Sequence, residues 1–183
     1  MAEDALTLGS LSWLPAGDHP ELLAEPVQAA IEDQRLTGFV ARIDPGLADT
    51  TAFCEAYQVP LSVSANCVVV SGGRADVSTT AACLILATDR ADINKTVRRH
   101  LDLRKISFAS MADAVSQTGM EYGGITPIGL PPDWPILIDD HVAGADWIVI
   151  GSGIRGSKIA IRGADVARLP GAEVLSIAIP TQR

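Results

Sequence analysis

A segment rich in glycine and proline, residues 118–131, is the feature of this chain that most restricts its fold. Four of its residues are glycine and two are proline. Glycine lets the main chain approach other atoms where a side chain would collide, and proline fixes the backbone direction. Two interpretations remain open for this segment: a tight turn between strands, or the wall of a site that contacts a ligand closely.

The hydrophobic core is predicted to be aliphatic. The chain of 183 residues is 48% hydrophobic but only 4% aromatic, so Val, Ile, Leu and Ala must supply most of the buried surface. Cores of that kind are typical of proteins that layer helices on a sheet. The length fits one domain, and we expect a single unit over residues 1–183, with residues 1–26 as an N-terminal extension.

Hydrophobic periodicity predicts interspersed helices and strands. Helices are predicted at residues 20–34, 50–57, 94–101 and 112–117, the first capped by Asp18 and bent at Pro26. Strands are predicted at residues 39–43, 59–63, 67–71, 81–87, 106–108, 136–138, 147–150, 158–160 and 174–179. Strands 67–71 and 81–87 are expected to pair as a hairpin. This order favours a mixed α+β fold, with a curved, barrel-like mixed sheet surrounded by helices, over a purely parallel sheet.

The charge distribution restricts the possible partners. A net charge of −8 weighs against a broad surface for nucleic-acid backbone. Five of the fourteen basic residues nevertheless fall in one short segment, namely Lys95, Arg98, Arg99, Arg104 and Lys105. In a helix over residues 94–101, the first three would share one outward face. That face either binds phosphates or is an ordinary solvated surface.

Several classes of protein are disfavoured by the sequence. No run reaches the roughly 18 apolar residues of a membrane span, and the acidic start is unlike a secretory signal. We therefore expect a cytoplasmic protein with no membrane partner. The three cysteines are too few and too widely spaced for a zinc cluster, and their odd number argues against a disulfide framework. The three histidines lack metal-ligand spacing, so neither a metal nor a cofactor is predicted.

Five short motifs occur in order along the chain: Phe108-Ala109-Ser110, Thr118-Gly119, GGITPIG at 123–129, Ile138-Asp139 and Gly151-Ser152-Gly153. Their order and spacing are similar to those of the YbaK/EbsC family, over roughly residues 27–169. That family includes the editing insertion of bacterial prolyl-tRNA synthetases and free-standing deacylases. The resemblance implies a YbaK-like fold, aminoacyl-tRNA as partner rather than DNA, and hydrolysis of the ester that joins a wrong amino acid to tRNA.

The resemblance also implies a pocket built around the G-x-x-x-P element at residues 123–127. An ester attacked by water develops negative charge on its carbonyl oxygen, which fixed backbone N–H donors can stabilise. Gly123 and Gly124 are expected to bring such donors close. The residues expected to bind substrate are Tyr122, Ile125, Thr126 and Pro127, with Gly151, Ser152 and Gly153 as a second wall.

One position departs from the family pattern. Many members carry a lysine where this chain has Asn66, whose amide can hydrogen-bond but carries no charge. Asn66 is predicted as a polar positioning group of the catalytic set, with the neighbouring Cys67 as an alternative nucleophile that lacks a paired histidine. Asp139 is expected either to belong to the catalytic set, orienting water or a ribose hydroxyl, or to cap a helix. Arg155 and Lys158 are predicted to meet the tRNA backbone, or else to lie on a solvated turn and strand.

Two functions from different classes fit these residues. One is an aminoacyl-tRNA deacylase in which pocket backbone and substrate hydroxyls do most of the work. The other is a catalytically inactive binding module that recognises an aminoacylated end, an amino acid or a protein partner. A substitution at Asn66 distinguishes the two functions. If Asn66→Lys creates a deacylase activity that the natural protein lacks, the binding-module interpretation is favoured.

Overall fold

The computed structural model describes residues 6–180. The strands of this part are β1 (Leu14–Pro15), β2 (Gly38–Arg42), β3 (Ala65–Arg74), β4 (Val77–Leu86), β5 (Asp89–Ala91), β6 (Lys105–Phe108), β7 (Ile136–Asp139), β8 (Ile148–Gly151), β9 (Ser157–Ile161), β10 (Ala172–Leu175) and β11 (Ala178–Pro180). Its helices are α1 (Glu25–Gln34), α2 (Thr50–Tyr57), α3 (Arg98–His100), α4 (Met111–Thr118), α5 (Asp140–Ala143) and α6 (Gly163–Val166). None of the described helices is long and apolar enough to cross a membrane.

The strands form two large sheets and one small one. The first sheet is antiparallel, in the order β1-β2-β9-β8, and the second is mixed, in the order β10-β7-β4-β3-β6. Strands β11 and β5 form the third. The predicted mixed α+β class is confirmed, and so is the hairpin, which is β3–β4. The three sheets of the described residues are open, so the barrel-like part of the prediction is not confirmed.

The main core joins both large sheets to α1 and is aliphatic, as the composition predicts. Val27 of α1, Leu84 of β4, Ile138 of β7 and Ile159 of β9 are among its buried members. Side chains alternate between the two faces of a strand. Val149 of β8 therefore packs on the opposite face of the first sheet, in a second cluster with the aromatic rings of α2.

Local capping explains which predicted helices form. The helix predicted at 50–57 is confirmed as α2. It begins at Thr50 because the Asp49 carboxylate caps its first turn and accepts the Thr51 N–H at 3.1 Å. The helix predicted at 20–34 is wrong in its first half, where a 3₁₀ turn at Pro20–Leu22 precedes α1, and the predicted cap Asp18 lies in an earlier 3₁₀ turn and caps neither. Pro26 lies in the first turn of α1 and does not bend it, because proline is tolerated where the N–H has no intrahelical acceptor.

Three further predictions need correction. Residues 61–63 form a 3₁₀ turn after Pro60 and not part of a strand. The strand predicted at 174–179 is two strands, because β10 pairs with β7 whereas β11 pairs with β5. The basic segment begins with a π-helical turn, Ile93–Val97, which continues into the single turn of α3.

Candidate functional site

The glycine-rich loop packs backbone to backbone against the end of β8. The Gly153 N–H donates to the Gly124 carbonyl oxygen at 2.7 Å. A Cβ on Gly124 would lie 2.6 Å from the Ile154 oxygen, and one on Gly151 would lie 2.8 Å from the Ile125 oxygen. Atoms that close would force the backbone apart, so both positions need glycine. The segment is thus a tight turn that is also held against a neighbouring strand.

A cleft of about 570 Å³ opens beside this contact. Its walls come from the start of β3, the beginning of α2, the segment after β6, the glycine-rich loop and the β8–β9 connection. The structure brings seven of the predicted site residues to the cleft: Asn66, Tyr122, Gly123, Ile125, Gly151, Arg155 and Lys158.

Asn66 is held in place by a residue that the sequence reasoning missed. The Thr50 hydroxyl donates to Oδ1 of Asn66 at 2.6 Å. Thr50 is the first residue of α2, directly after the cap Asp49. Because the amide oxygen is engaged, the NH2 group of Asn66 is the part left to donate to a ligand. The Asp-Thr-Thr sequence at 49–51, a helix-start signal, was the available clue.

Lys158 is the buried cation of the cleft. The residue is only 7% exposed, and its Nζ donates to the Ala48 carbonyl oxygen at 2.9 Å. The same nitrogen lies 5.2 Å from the centre of the Phe53 ring. Burial lowers the pKa of Lys158 to about 8, because the charged amine loses its hydration. The structure therefore places this amine inside a cleft wall, not on an outer surface that meets tRNA backbone.

Arg155 connects two sides of the cleft. Its guanidinium donates to the Tyr122 oxygen at 3.1 Å and to the Pro45 oxygen at 2.9 Å, while its backbone N–H donates to Glu121. Gly123 lies directly beside the guanidinium with a φ of 86°, a conformation that side chains disfavour. Arg155 thus contributes to the shape of the loop.

Five predicted residues are buried and are not among the described residues that line the cleft: Gly124, Thr126, Pro127, Ser152 and Gly153. The Ser152 hydroxyl is buried and donates to the Ser157 carbonyl oxygen at 3.1 Å. Oγ1 of Thr126 is buried and has no hydrogen-bond partner within residues 6–180.

Asp139 is not among the described residues that line the cleft. Oδ1 accepts the His141 N–H at 3.1 Å, which caps α5, and Oδ2 accepts the N–H groups of Ile177 and Ala178 at 3.0 and 2.9 Å. Ligand atoms of Asp139, Asp140 and His141 lie within 4.8 Å of one another. Both oxygens of the Asp139 carboxylate are thus engaged, one in capping α5 and the other in holding the turn before β11. The geometry therefore favours the capping interpretation.

Cys67 lines the cleft, but its chemistry does not suit a nucleophile. Burial raises the pKa of the Cys67 thiol far above its usual value. The thiolate is the reactive form of cysteine, so a thiol held protonated is inert at neutral pH. The alternative in which Cys67 attacks the substrate is therefore not supported.

Three large apolar side chains line the cleft and remain exposed. Phe108 is 65% exposed, Met111 56% and Tyr122 53%. Neighbouring exposed apolar groups at a cleft are typical of ligand contact. Tyr122 is among the site residues predicted from the sequence, whereas Phe108 is there only part of a motif.

The basic residues define a separate groove of about 800 Å³, which we call the basic groove. It is lined by Asn94, Arg98, Arg104 and Lys105, and by the β3–β4 hairpin and β6. Lys95 and Arg99 are exposed nearby but do not line it. Strands β3 and β6 contribute residues to both the cleft and the basic groove, so the two features follow one another along the same strands.

A family comparison gives a direct match. The sequence model described as the aminoacyl-tRNA editing domain matches residues 44–169. The matched range contains every residue named above as lining the cleft. No curated protein sequence matches the chain.

Solved structures share the fold. One, described as a candidate trans-editing enzyme for prolyl tRNA synthetase, is 19% identical with a TM-score of 0.71, over 85% of this chain and 96% of that one. The hypothetical protein APE2540 is 19% identical with a TM-score of 0.75, over 85% and 100%. A candidate signal transduction protein from Marinobacter aquaeolei VT8 is 17% identical with a TM-score of 0.54, over 84% of this chain and 30% of that one.

Proposed function

The chain belongs to the aminoacyl-tRNA editing domain family, and from that premise we propose that it is a trans-acting deacylase that hydrolyses the ester of mischarged tRNA. The observation that carries the proposal is the cleft itself. It is lined by Gly123 and Ile125 of the glycine-rich loop and by Asn66, whose amide is oriented by Thr50.

Backbone donors of the loop would stabilise the reaction. The Gly124 N–H already donates to the Glu121 oxygen at 2.9 Å, which completes the turn. The N–H groups of Gly123 and Ile125 have no acceptor among the described residues. We assign these two N–H groups to the ester carbonyl oxygen, where fixed donors favour the negative charge of the transition state. Gly124 then acts as a support of the loop and not as a donor.

Asn66 would orient the aminoacyl end. Its amide oxygen is occupied by Thr50, so its NH2 group points to an acceptor on the substrate, such as a ribose or ester oxygen. Positioning of this kind lowers the barrier, because the ester is held where water and the loop donors can act together. A neutral amide can do this without the charge of a lysine.

The rest of the tRNA end would meet the exposed apolar residues and the basic groove. Phe108 and Tyr122 offer aromatic faces on which terminal bases can stack. Arg98, Arg104 and Lys105 offer positive charge to phosphates, and Lys105 lies about 10 Å from Phe108 along β6. The exposed Lys95 and Arg99 would add to the field around that groove.

A binding module without hydrolysis is the second candidate. The observation that favours it is the neutral Asn66 where the resemblance leads one to expect a lysine. In this case the cleft would bind an aminoacylated end with the same contacts but would leave the ester intact. The same experiment separates the two functions.

The test is release of amino acid from a panel of mischarged tRNAs by the purified protein, starting with tRNA for proline because of the neighbour's description. We expect hydrolysis of particular substrates, and reduced rates for Gly123→Ala and Asn66→Ala. Folding of each variant is checked by thermal unfolding. A folded natural protein that binds but hydrolyses nothing would replace the deacylase with the binding module.

A further inference from the structure

Lys158 is a buried cation without a buried counter-ion. Within the described chain no carboxylate lies within salt-bridge distance of its amine, and Ala48 is its one hydrogen-bond acceptor. An ammonium has three N–H donors, and burial of a charge without a partner is unfavourable. Titratable groups kept in such an environment at a cleft are frequent in functional sites.

The sheet register places this amine on the side of the glycine-rich loop. Lys158 of β9 is directly paired with Gly151 of β8. Side chains of directly paired residues in antiparallel strands leave the same face of the sheet. A Cβ on Gly151 would meet the Gly124 and Ile125 oxygens, so the loop lies on that face. Lys158 therefore projects on the face where the loop forms the cleft.

We propose that Lys158 is a catalytic residue, whose ammonium donates a hydrogen bond to the ester carbonyl oxygen as that oxygen becomes negative. The inference rests on the proposed deacylase function and names the cation of its site. Water attacks the carbonyl carbon, and the π electron pair moves to the carbonyl oxygen, where Lys158 and the loop donors hold it. Collapse breaks the bond to the ribose oxygen, which takes a proton that originates from the water, and the amino acid leaves as the acid.

Burial favours this role over a phosphate contact. A desolvated cation stabilises nearby charge more strongly than a hydrated one, and this gain is useful where charge develops during the reaction. Phosphates carry their charge throughout, and the open basic groove already offers Arg98, Arg104 and Lys105 to them. Lys158 keeps its proton through all steps of the reaction.

The pH dependence is set by the groups around the amine. The pKa of Lys158 is lowered to about 8: burial and, to a smaller extent, the charge of Arg155 lower it, whereas Cys54 and Asp49 raise it. The role requires the charged form, so the enzyme-catalysed rate should fall as pH rises through about 8, after subtraction of spontaneous ester hydrolysis. Lys158→Arg, whose charge persists at higher pH, should lose this fall.

The experiment compares the natural protein with Lys158→Met and Lys158→Arg on two substrates, mischarged tRNA and the corresponding aminoacyl-adenosine, which has no phosphate. We expect Lys158→Met to lower kcat/KM by about 100-fold or more on both substrates. Binding of a non-hydrolysable aminoacyl-adenosine amide should stay within about threefold, because the contact strengthens only in the transition state. Thermal unfolding verifies that both variants fold.

Three outcomes would overturn the assignment. Undiminished hydrolysis by folded Lys158→Met removes the role of Lys158 and leaves the deacylase intact. A loss confined to the tRNA substrate assigns the amine to a phosphate. Absence of hydrolysis by the natural protein on both substrates overturns the deacylase itself, and with it this role.

Discussion

The Thr50 hydroxyl donates a 2.6 Å hydrogen bond to Oδ1 of Asn66, which orients an amide that lines the cleft. Thr50→Val removes this donor with little change of shape, so the amide can turn away from the substrate. We expect deacylation kcat/KM to fall about tenfold, with KM nearly unchanged. Thr50→Ser restores the hydroxyl and should restore the rate. Equal rates for Thr50→Val and the natural protein would contradict the positioning role.

Gly151 is expected to tolerate no side chain, because a Cβ would lie 2.8 Å from the Ile125 oxygen and even nearer to the Gly124 oxygen. Gly151→Ala should lower the free energy of unfolding by about 1–3 kcal/mol and also reduce deacylation. Gly17→Ala is the matched control, since nothing lies within 4 Å of its added Cβ. Denaturant unfolding of both variants tests the difference. Equal free energies of unfolding for Gly151→Ala and Gly17→Ala would contradict the prediction and show that the loop backbone shifts to accept the added methyl group.

The basic groove is expected to bind tRNA phosphates. Arg104→Gln combined with Lys105→Gln should weaken tRNA binding and reduce the slope of log K against log salt by about 2. Hydrolysis of aminoacyl-adenosine, which has no phosphate, should stay unchanged. Arg168→Gln, a change at an exposed arginine outside the groove, serves as control. An unchanged salt slope would exclude the groove from the tRNA contact.

Two buried threonines should respond oppositely to the same substitution. Oγ1 of Thr126 has no partner in the described part of the chain, so Thr126→Val should raise the free energy of unfolding by about 1 kcal/mol. Oγ1 of Thr118 donates to the Ala114 oxygen at 2.7 Å and accepts the Met120 N–H, so Thr118→Val should lower it. Chemical denaturation measures both. Destabilisation by Thr126→Val would show that its hydroxyl has a bonding partner in solution.

Lys158 should make stability depend on pH with a defined sign. Its folded pKa of about 8 is lower than its unfolded value, about 10.4, so between these values the unfolded chain binds more protons. The contribution of Lys158 to the free energy of unfolding therefore rises with pH across that window, by about 1 kcal/mol per pH unit, and does not change with pH below the window. Buried cysteines act in the opposite direction, but they are present in both proteins compared below.

The measurement is the difference in free energy of unfolding between the natural protein and Lys158→Met from pH 7 to 10. Below pH 8 the difference should be constant, and above it the natural protein should gain relative to the variant. A constant difference over the whole range would show that the amine is hydrated and not buried in solution.

Local sequence determined the elements whose signals lie within a few residues. The cap at Asp49 and the apolar pattern after it determine α2, and the two apolar runs at 67–71 and 81–87 indicate the β3–β4 hairpin, whose turn is Ala75-Asp76. The glycine-rich loop was likewise recognised in advance, because glycine at crowded backbone positions leaves a visible signature. A resemblance of motifs then indicated the editing family, which the family match confirms.

Tertiary structure decided the roles of particular side chains. Lys158 meets the oxygen of Ala48, which is 110 positions away, and Asp139 meets backbone N–H groups 38 and 39 positions away. A sequence pattern shows that a lysine or an aspartate is present and not which distant atoms surround it. Strand register and packing set those distances, and therefore the burial, the pKa and the chemistry of each group. For this reason the sequence alone indicated the family and several elements of the fold, whereas the folded chain decided which atoms surround each of these side chains.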